Sequence, residues 1–348
     1  MARAIWSAGL GLIGLAACAA VAATTPSAET AEVLAKTNRA DPFPVLEAAY
    51  PGGIVVRPHV EFANYTGYRP LQLDLYLHAD RDRVAPRPLV LWVHGGGWQR
   101  GDARQSGAFA DWPAVLASLA ARGFVVASVD YRLTGEARFP AQVQDVKAAI
   151  RYLRSQSAAF GIDPARVYLW GGSAGGHLAA LAAASCGVAA FDPPASTGRL
   201  PGSLAKAARP LPQSDCAQGA VIWYGAFDLA DAGEPQGSAL GPEMRERVLG
   251  CEPDRCAAAA AAASPIAYVS KATPPMLLIH GTADTTVPIR QSEAMAARMR
   301  AAGARVDLVA LPGSEHGFLG ATPDATRRDS RDALARSFAF FDRLAQQE

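Results

Sequence analysis

Three kinds of feature are scarce in this 348-residue chain, and each scarcity closes off a class of protein. Charge of one sign is missing. The 33 lysines and arginines face 32 acids for a net charge of +1, with no basic run of five or more, so nothing steers the chain toward nucleic acid or an anionic membrane. Cysteine is sparse, five in all, and none stands in a CxxC pair or beside a histidine, which argues against a zinc site. Internal repeats are absent, which excludes a solenoid or an array.

What is present is apolar substance: half of the residues are hydrophobic, enough for a sizeable core in one large α/β domain. Residues 1–23 read as an export signal, with Arg3 as the positive region and "AIWSAGLGLIGLAA" as the apolar one. That run is too short, and too soon followed by "TTPSAET", to be a spanning helix. Two processing readings stand. Leu15-Ala16-Ala17-Cys18 resembles a bacterial lipobox, which would make Cys18 a lipidated first residue; ordinary cleavage after Ala20-Val21-Ala22 is the other. Either takes the protein out of the cytoplasm, to the periplasm, the outer membrane as a lipoprotein, or the medium. A lipid anchor is the one membrane contact expected. Residues 24–52 would then be a tether, and 53–348 the catalytic domain. Four cysteines remain, an even number in a chain bound for an oxidising compartment, and the economical pairings are Cys251 with Cys256 and Cys186 with Cys216.

After the tether, "GIVVRPHVEFA" and "LQLDLYLHA" alternate like half-buried strands and predict an antiparallel hairpin. "RPLVLWVHGGGW" is a continuous apolar run ending in glycines, as expected of a strand buried on both faces. The pattern returns five times, in "GFVVASVDYR", "ARVYLWGGS", "GAVIWYGAFD", "PMLLIHGTAD" and "RVDLVALPGSEH", with helical spacing between. Eight strands alternating with helices predict a mostly parallel sheet covered on both faces. Irregular insertions interrupt it near residues 187–215 and 228–270, the second with an alanine run that suits a helix.

In such a sheet, reactive groups collect at the carboxyl ends of strands. Ser173 stands there, in Gly171-Gly172-Ser173-Ala174-Gly175, a G-x-S-x-G match between strand and helix. Phosphate cradles fit poorly: His177 follows Gly176 where a Walker loop needs lysine, and Ser173 occupies the glycine a dinucleotide fingerprint needs. A serine hydroxyl needs a general base, itself oriented by an acid. Of the six histidines, His59 and His78 lie on the opening strands, His94 starts a glycine turn, His177 points along the helix after Ser173, and His280 ends the seventh strand. His316, in the loop "LPGSEHGF", is left as the base. Asp284 in "HGTADTTVP" is the acid, in preference to Glu315, which adjoins the histidine, and to Asp324 and Asp329 around the final helix. The order Ser173, Asp284, His316 is that of the α/β-hydrolase fold. "HGGGW", directly after the third strand, offers the backbone N–H groups of Gly96 and Gly97 as an oxyanion hole, with Ala174 as the third donor.

From about Val55 to Ala345, "LDLYL", "HGGGW", "VDYRL", "GIDPARVYLWGGSAGGHLA", "PPMLLIHGTADTTVP" and "GSEHGF" run in the order of an α/β-hydrolase of the esterase/lipase group. The chain is similar to hormone-sensitive-lipase-like esterases and to bacterial acetyl- and feruloyl-esterase-like proteins. Gly172 and Trp98 stand where the first branch usually has Asp and Phe, which shifts the balance to the second. Kynurenine formamidases resemble it around HGG-x-W, but a cytosolic pathway fits badly with an export signal. The resemblance implies a serine carboxylic-ester hydrolase without metal or organic cofactor, acting on short-acyl or aryl esters, free or linked to polysaccharide. A prolyl-oligopeptidase-like peptidase would need a propeller that the N-terminus is too short to make, and a non-catalytic binding protein on this fold would commonly lack a triad member. Trp98, Trp223 and Tyr224 are the candidate walls of the substrate pocket, with core packing as the competing reading of the last two.

Overall fold

The computed structural model describes residues 46–196, 213–230, 241–251 and 256–347. The expected export signal at residues 1–23, Cys18 and most of the expected tether lie outside the described residues. The end of that tether does not: β1 (Ala48–Tyr50) pairs antiparallel with β2 (Ile54–Ala63), Tyr50 opposite Ile54, so the domain takes in residues from 46 rather than 53. β3 (Leu71–His78) completes the opening hairpin and pairs antiparallel with β5 (Val125–Val129). From there the sheet is parallel, through β4 (Arg87–Val93), β6 (Ile162–Gly172), β7 (Gly219–Trp223), β8 (Met276–Gly281) and β9 (Val306–Leu311). Among the described residues the order is β1-β2-β3-β5-β4-β6-β7-β8-β9, nine strands where the sequence predicts eight, because three residues at an edge leave no periodic signal.

β4 explains why the sheet needs two covers. Its side chains alternate between two apolar clusters: Leu89, Leu91 and Val93 on one face, Val90 and Trp92 on the other. The first face is covered by α2 (Ala141–Ser155), α3 (Ala174–Ala184) and α6 (Arg290–Ala301), the second by α1 (Trp112–Ala120) and α7 (Pro323–Ala345). Each such fully buried Leu or Val contributes about 1.5–3 kcal/mol relative to exposure. Two of these helices start on side-chain caps: Asp111 accepts from the Ala114 N–H at 3.0 Å and Thr322 from the Ala325 N–H at 3.1 Å, each just ahead of the first turn.

The described residues of the second insertion include the short α-helices α4 (Pro242–Leu249) and α5 (Cys256–Ala263), the latter from the alanine run. Cys251 and Cys256 are bonded across the end of the first and the start of the second, and Cys186 is bonded to Cys216 across the first insertion. Among the described residues no helix is long and apolar enough to cross a membrane.

Candidate active site

Ser173 bridges β6 and α3 with φ 55° and ψ −124°, a conformation L-residues seldom adopt. Such strain costs about 1–3 kcal/mol, and the surroundings hold it. The Ser173 N–H donates to the Trp223 carbonyl at 3.0 Å, and the Ser173 carbonyl accepts from the His177 N–H at 2.9 Å. Gly175 is what lets α3 start here: a Cβ on it would stand 2.0 Å from the carbonyl oxygen of Val93. Any side chain there would drive the helix off β4.

Three loops at the carboxyl edge converge on the hydroxyl. His316, after β9, brings Nε2 to 2.8 Å from Ser173 Oγ and Nδ1 to 2.8 Å from Asp284 Oδ2. With the Nδ1–H donated to the carboxylate, Nε2 is the acceptor for the serine hydroxyl. The Asp284 side chain is fully buried, and its other oxygen accepts from the N–H groups of Thr286 at 3.0 Å and Val287 at 2.9 Å. Burial alone would push this carboxyl up; the hydrogen bonds from His280, His316 and Val287 outweigh it and hold the group well below the usual carboxylate range.

His280 belongs to this site although its position in the sequence points to the sheet interior. It is fully buried at the end of β8, with Nε2 at 2.7 Å from the Val287 carbonyl and 3.2 Å from Asp284 Oδ2, and Nδ1 at 2.7 Å from Ser292 Oγ. The signal that locates it is the four-residue step from His280 to Asp284 across a tight turn, which folds the ring back on the acid. The rival acids are occupied elsewhere. Glu315 Oε2 accepts from Thr285 N at 3.1 Å and Thr285 Oγ1 at 3.2 Å, and Asp324 is exposed. Asp329 is neither a cap nor solvated: it is buried in α7 and accepts from Ser314 Oγ, tying the His316 loop to the last helix.

On the opposite side, the "HGGGW" loop follows β4. The imidazole of His94 stacks on Tyr131 at 4.3 Å, and Tyr131 Oη donates to the His94 carbonyl at 3.1 Å. Burial pushes His94 down to about 4, so it is neutral. Asp130 accepts from the Ala103 N–H at 2.7 Å further along the same loop, whereas Arg132 turns away to a buried pair with Asp145 at 2.7 Å. Gly96 has φ 113° and a Cβ on it would lie 2.0 Å from the Arg100 carbonyl, so this turn excludes other residues. Among the described residues the N–H groups of Gly96 and Gly97 take part in no hydrogen bond. The Ala174 N–H, first in α3, is one of the donors a helix start leaves without an intrahelical acceptor.

The cleft over Ser173 has a volume of about 880 Å³, with Phe109, Tyr224 and Met244 of α4 among the residues that line it. Two of the expected wall residues are not in it. Trp98 is buried, and its Nε1–H donates to His177 Nδ1 at 3.2 Å, because the φ of 60° at Trp98 turns the indole behind the oxyanion loop. That bond, with His177 Nε2 at 2.7 Å from the Ala263 carbonyl, fixes His177 away from Ser173, and burial pushes it down to about 4. Trp223 falls on the α1/α7 face of β7, where it packs 4.9 Å from Trp170 and donates to Ser337 Oγ at 2.9 Å. Tyr224 does line the cleft, its ring 4.7 Å from that of His316; burial, then the charge of Asp284, push its phenol up and keep it neutral.

The model of the BD-FAE family matches residues 73–299, about two thirds of the chain. The chain belongs to that family, within the α/β-hydrolases. It is 35% identical over 256 residues to esterase LipC of Mycobacterium tuberculosis, a match covering 72% of this chain and 58% of that protein. To esterase LipQ of the same organism it is 32% identical over 286 residues, covering 78% and 63%. The BD-FAE member thus spans about three fifths of the length of these curated relatives. Among solved structures, a truncated carbohydrate esterase from gut microbiota superposes with a TM-score of 0.67 at 28% identity, covering 88% of this chain and 99% of that one. Apo esterase 2 of Thermogutta terrifontis gives 0.62 at 28% identity, covering 85% and 96%.

Proposed function

We propose that this protein is an exported serine carboxylic-ester hydrolase. The observation that carries the reading is the continuous hydrogen-bonded line from Ser173 through His316 to Asp284, 2.8 Å at each step. Ser173 Oγ attacks the ester carbonyl while its proton passes to His316 Nε2. The oxyanion that forms is held by the N–H groups of Gly96, Gly97 and Ala174, and losing one such donor costs about 2.7–4 kcal/mol. Collapse breaks the bond to the leaving oxygen, which takes the proton from His316 and departs as the alcohol. Water then repeats the attack on the acyl-serine, giving the acid and free Ser173. Asp284 keeps the imidazole in the tautomer with its proton on Nδ1 and balances the imidazolium.

Short-acyl or aryl esters, including acetyl or hydroxycinnamoyl groups on carbohydrate, suit an open cleft lined by Phe109 and Tyr224. The gut-microbiota carbohydrate esterase supports the carbohydrate-linked member of this set. Ser173→Ala is expected to abolish both p-nitrophenyl acetate turnover and labelling by a fluorophosphonate. Retained turnover would overturn the reading, and a preference for palmitoyl over acetyl esters would overturn the chain-length part of it. Export is read from residues 1–23. Labelled palmitate carried by the full chain and lost in Cys18→Ser would place it among lipoproteins; cleavage after Ala22 would not.

A further inference from the structure

The cleft has a property that ester chemistry alone does not require: its charges are all of one sign. Among the described residues lining it, the charged side chains are Arg100, Arg104 and Arg247, with no aspartate or glutamate. The whole chain is nearly neutral at +1, so the bias is local. Arg104 is compensated, its Nε 2.6 Å from Oδ2 and its Nη2 3.2 Å from Oδ1 of the buried Asp74. The other two are not. Arg247, exposed on α4, reaches the amide oxygen of Gln99 at 3.2 Å and no carboxylate among the described residues. Arg100, exposed on the oxyanion loop, has no carboxylate partner among the described residues. The loop's own acid, Asp102, turns Oδ1 to the N–H of Arg104 at 2.8 Å instead.

Two guanidinium groups without a carboxylate partner among the described residues thus line one concave site, on the two segments, oxyanion loop and α4, that carry Gly97 and Met244. A guanidinium fork fits a carboxylate, and an unbalanced pair of them concentrates anionic substrates at the mouth. We propose that the cleft selects esters carrying a carboxylate close to the scissile bond, with Arg100 and Arg247 as the groups that recognise it. This rests on Ser173 being the nucleophile. The carboxylate has two chemical sources: the acyl part, as in the half-ester of a dicarboxylic acid, or the alcohol part, as in an ester of an acidic sugar.

Matched ester pairs test it. Mono-p-nitrophenyl succinate against p-nitrophenyl butyrate places the charge on the acyl side; 4-acetoxybenzoate against phenyl acetate places it on the alcohol side. The readout is the ratio of kcat/KM, charged over neutral, in the full protein and in the double variant Arg100→Gln/Arg247→Gln, which keeps most of each apolar stem. In at least one pair the ratio is expected to fall about fivefold in the variant, the scale of two solvent-exposed ion pairs. Arg100→Lys/Arg247→Lys keeps most of the ratio, and raising salt from roughly 0.05 to 0.5 M lowers the parent's ratio toward the Gln variant's. A ratio that neither the substitutions nor salt moves in either pair overturns the proposal. Loss of the reading beneath it looks different: neutral-ester turnover would then survive Ser173→Ala.

Discussion

His316 and the buried histidines at the carboxyl edge are the same residue type in opposite conditions. His316 sits on a loop with 23% of its side chain exposed and both ring nitrogens aimed at groups with a chemical task. His94, His177 and His280 are 1%, 0% and 0% exposed, each held by a backbone carbonyl at 2.7 Å. The difference teaches that proximity in sequence is a poor guide to a base. His177 is one helical turn from Ser173 and chemically inert, whereas His316 is 143 residues away and in contact. Burial holds His94 and His177 neutral, as struts of the loops around them, whereas the ring of His316 is left at the mouth, against the Ser173 hydroxyl.

The strongest way to break the comparison is to remove the exposed ring. His316→Ala is expected to lower kcat by about 10⁴ or more on p-nitrophenyl acetate, and Asp284→Asn by about 10³–10⁴, with circular dichroism unchanged. A loss of less than tenfold in His316→Ala would mean that a buried histidine does the work after all. His280 sharpens the contrast, since it touches the acid and not the substrate. His280→Leu is expected to lower kcat roughly 10–100-fold with KM little moved, because a displacement of the acid and His316 by about 1 Å costs on that scale. His280→Gln, which retains a donor, recovers part of it. Equal changes in kcat and KM for the two variants would reduce His280 to a packing residue.

The smallest effect concerns stability. His94 and His177 are held neutral, with folded values of about 4 against 6.5 for the free ring. Between those values the unfolded chain binds more protons than the folded one, so stability is full above about pH 6.5 and is lost as pH falls toward 4. By pH 5 each ring accounts for about 2 kcal/mol, read as a falling unfolding midpoint in a pH series. His316→Ala should keep that slope, and a flat series between pH 7 and 5 would contradict the assignment of both rings as buried and neutral.

Much of the site was legible because its parts are local. A glycine corner, a glycine run and two strand-end loops each fit within a dozen residues, and their order along the chain fixes how they meet. What escaped the sequence depends on which way a side chain faces. Trp98 and Trp223 stand at the right strand ends, but a positive φ at one and the pleat at the other turn both indoles into the core, while Phe109, in the loop before α1, lines the cleft. His280 was passed over for a related reason: the four-residue step to Asp284 becomes a contact only once the turn between them is made. β1 escaped because three residues carry no period, and Met244 and Arg247 because nothing in an irregular insertion says which strand end it folds over.

The bond between Cys251 and Cys256 pins the end of α4, the helix that carries Met244 and Arg247, to the start of α5. The other bond, Cys186–Cys216, ties the residue just past α3, the helix that follows Ser173, to the approach to β7. Protein matured in a reducing cytosol would lose both ties at once, so a change in selectivity is to be assigned to α4 from a Cys251→Ser/Cys256→Ser variant in which Cys186 and Cys216 stay bonded.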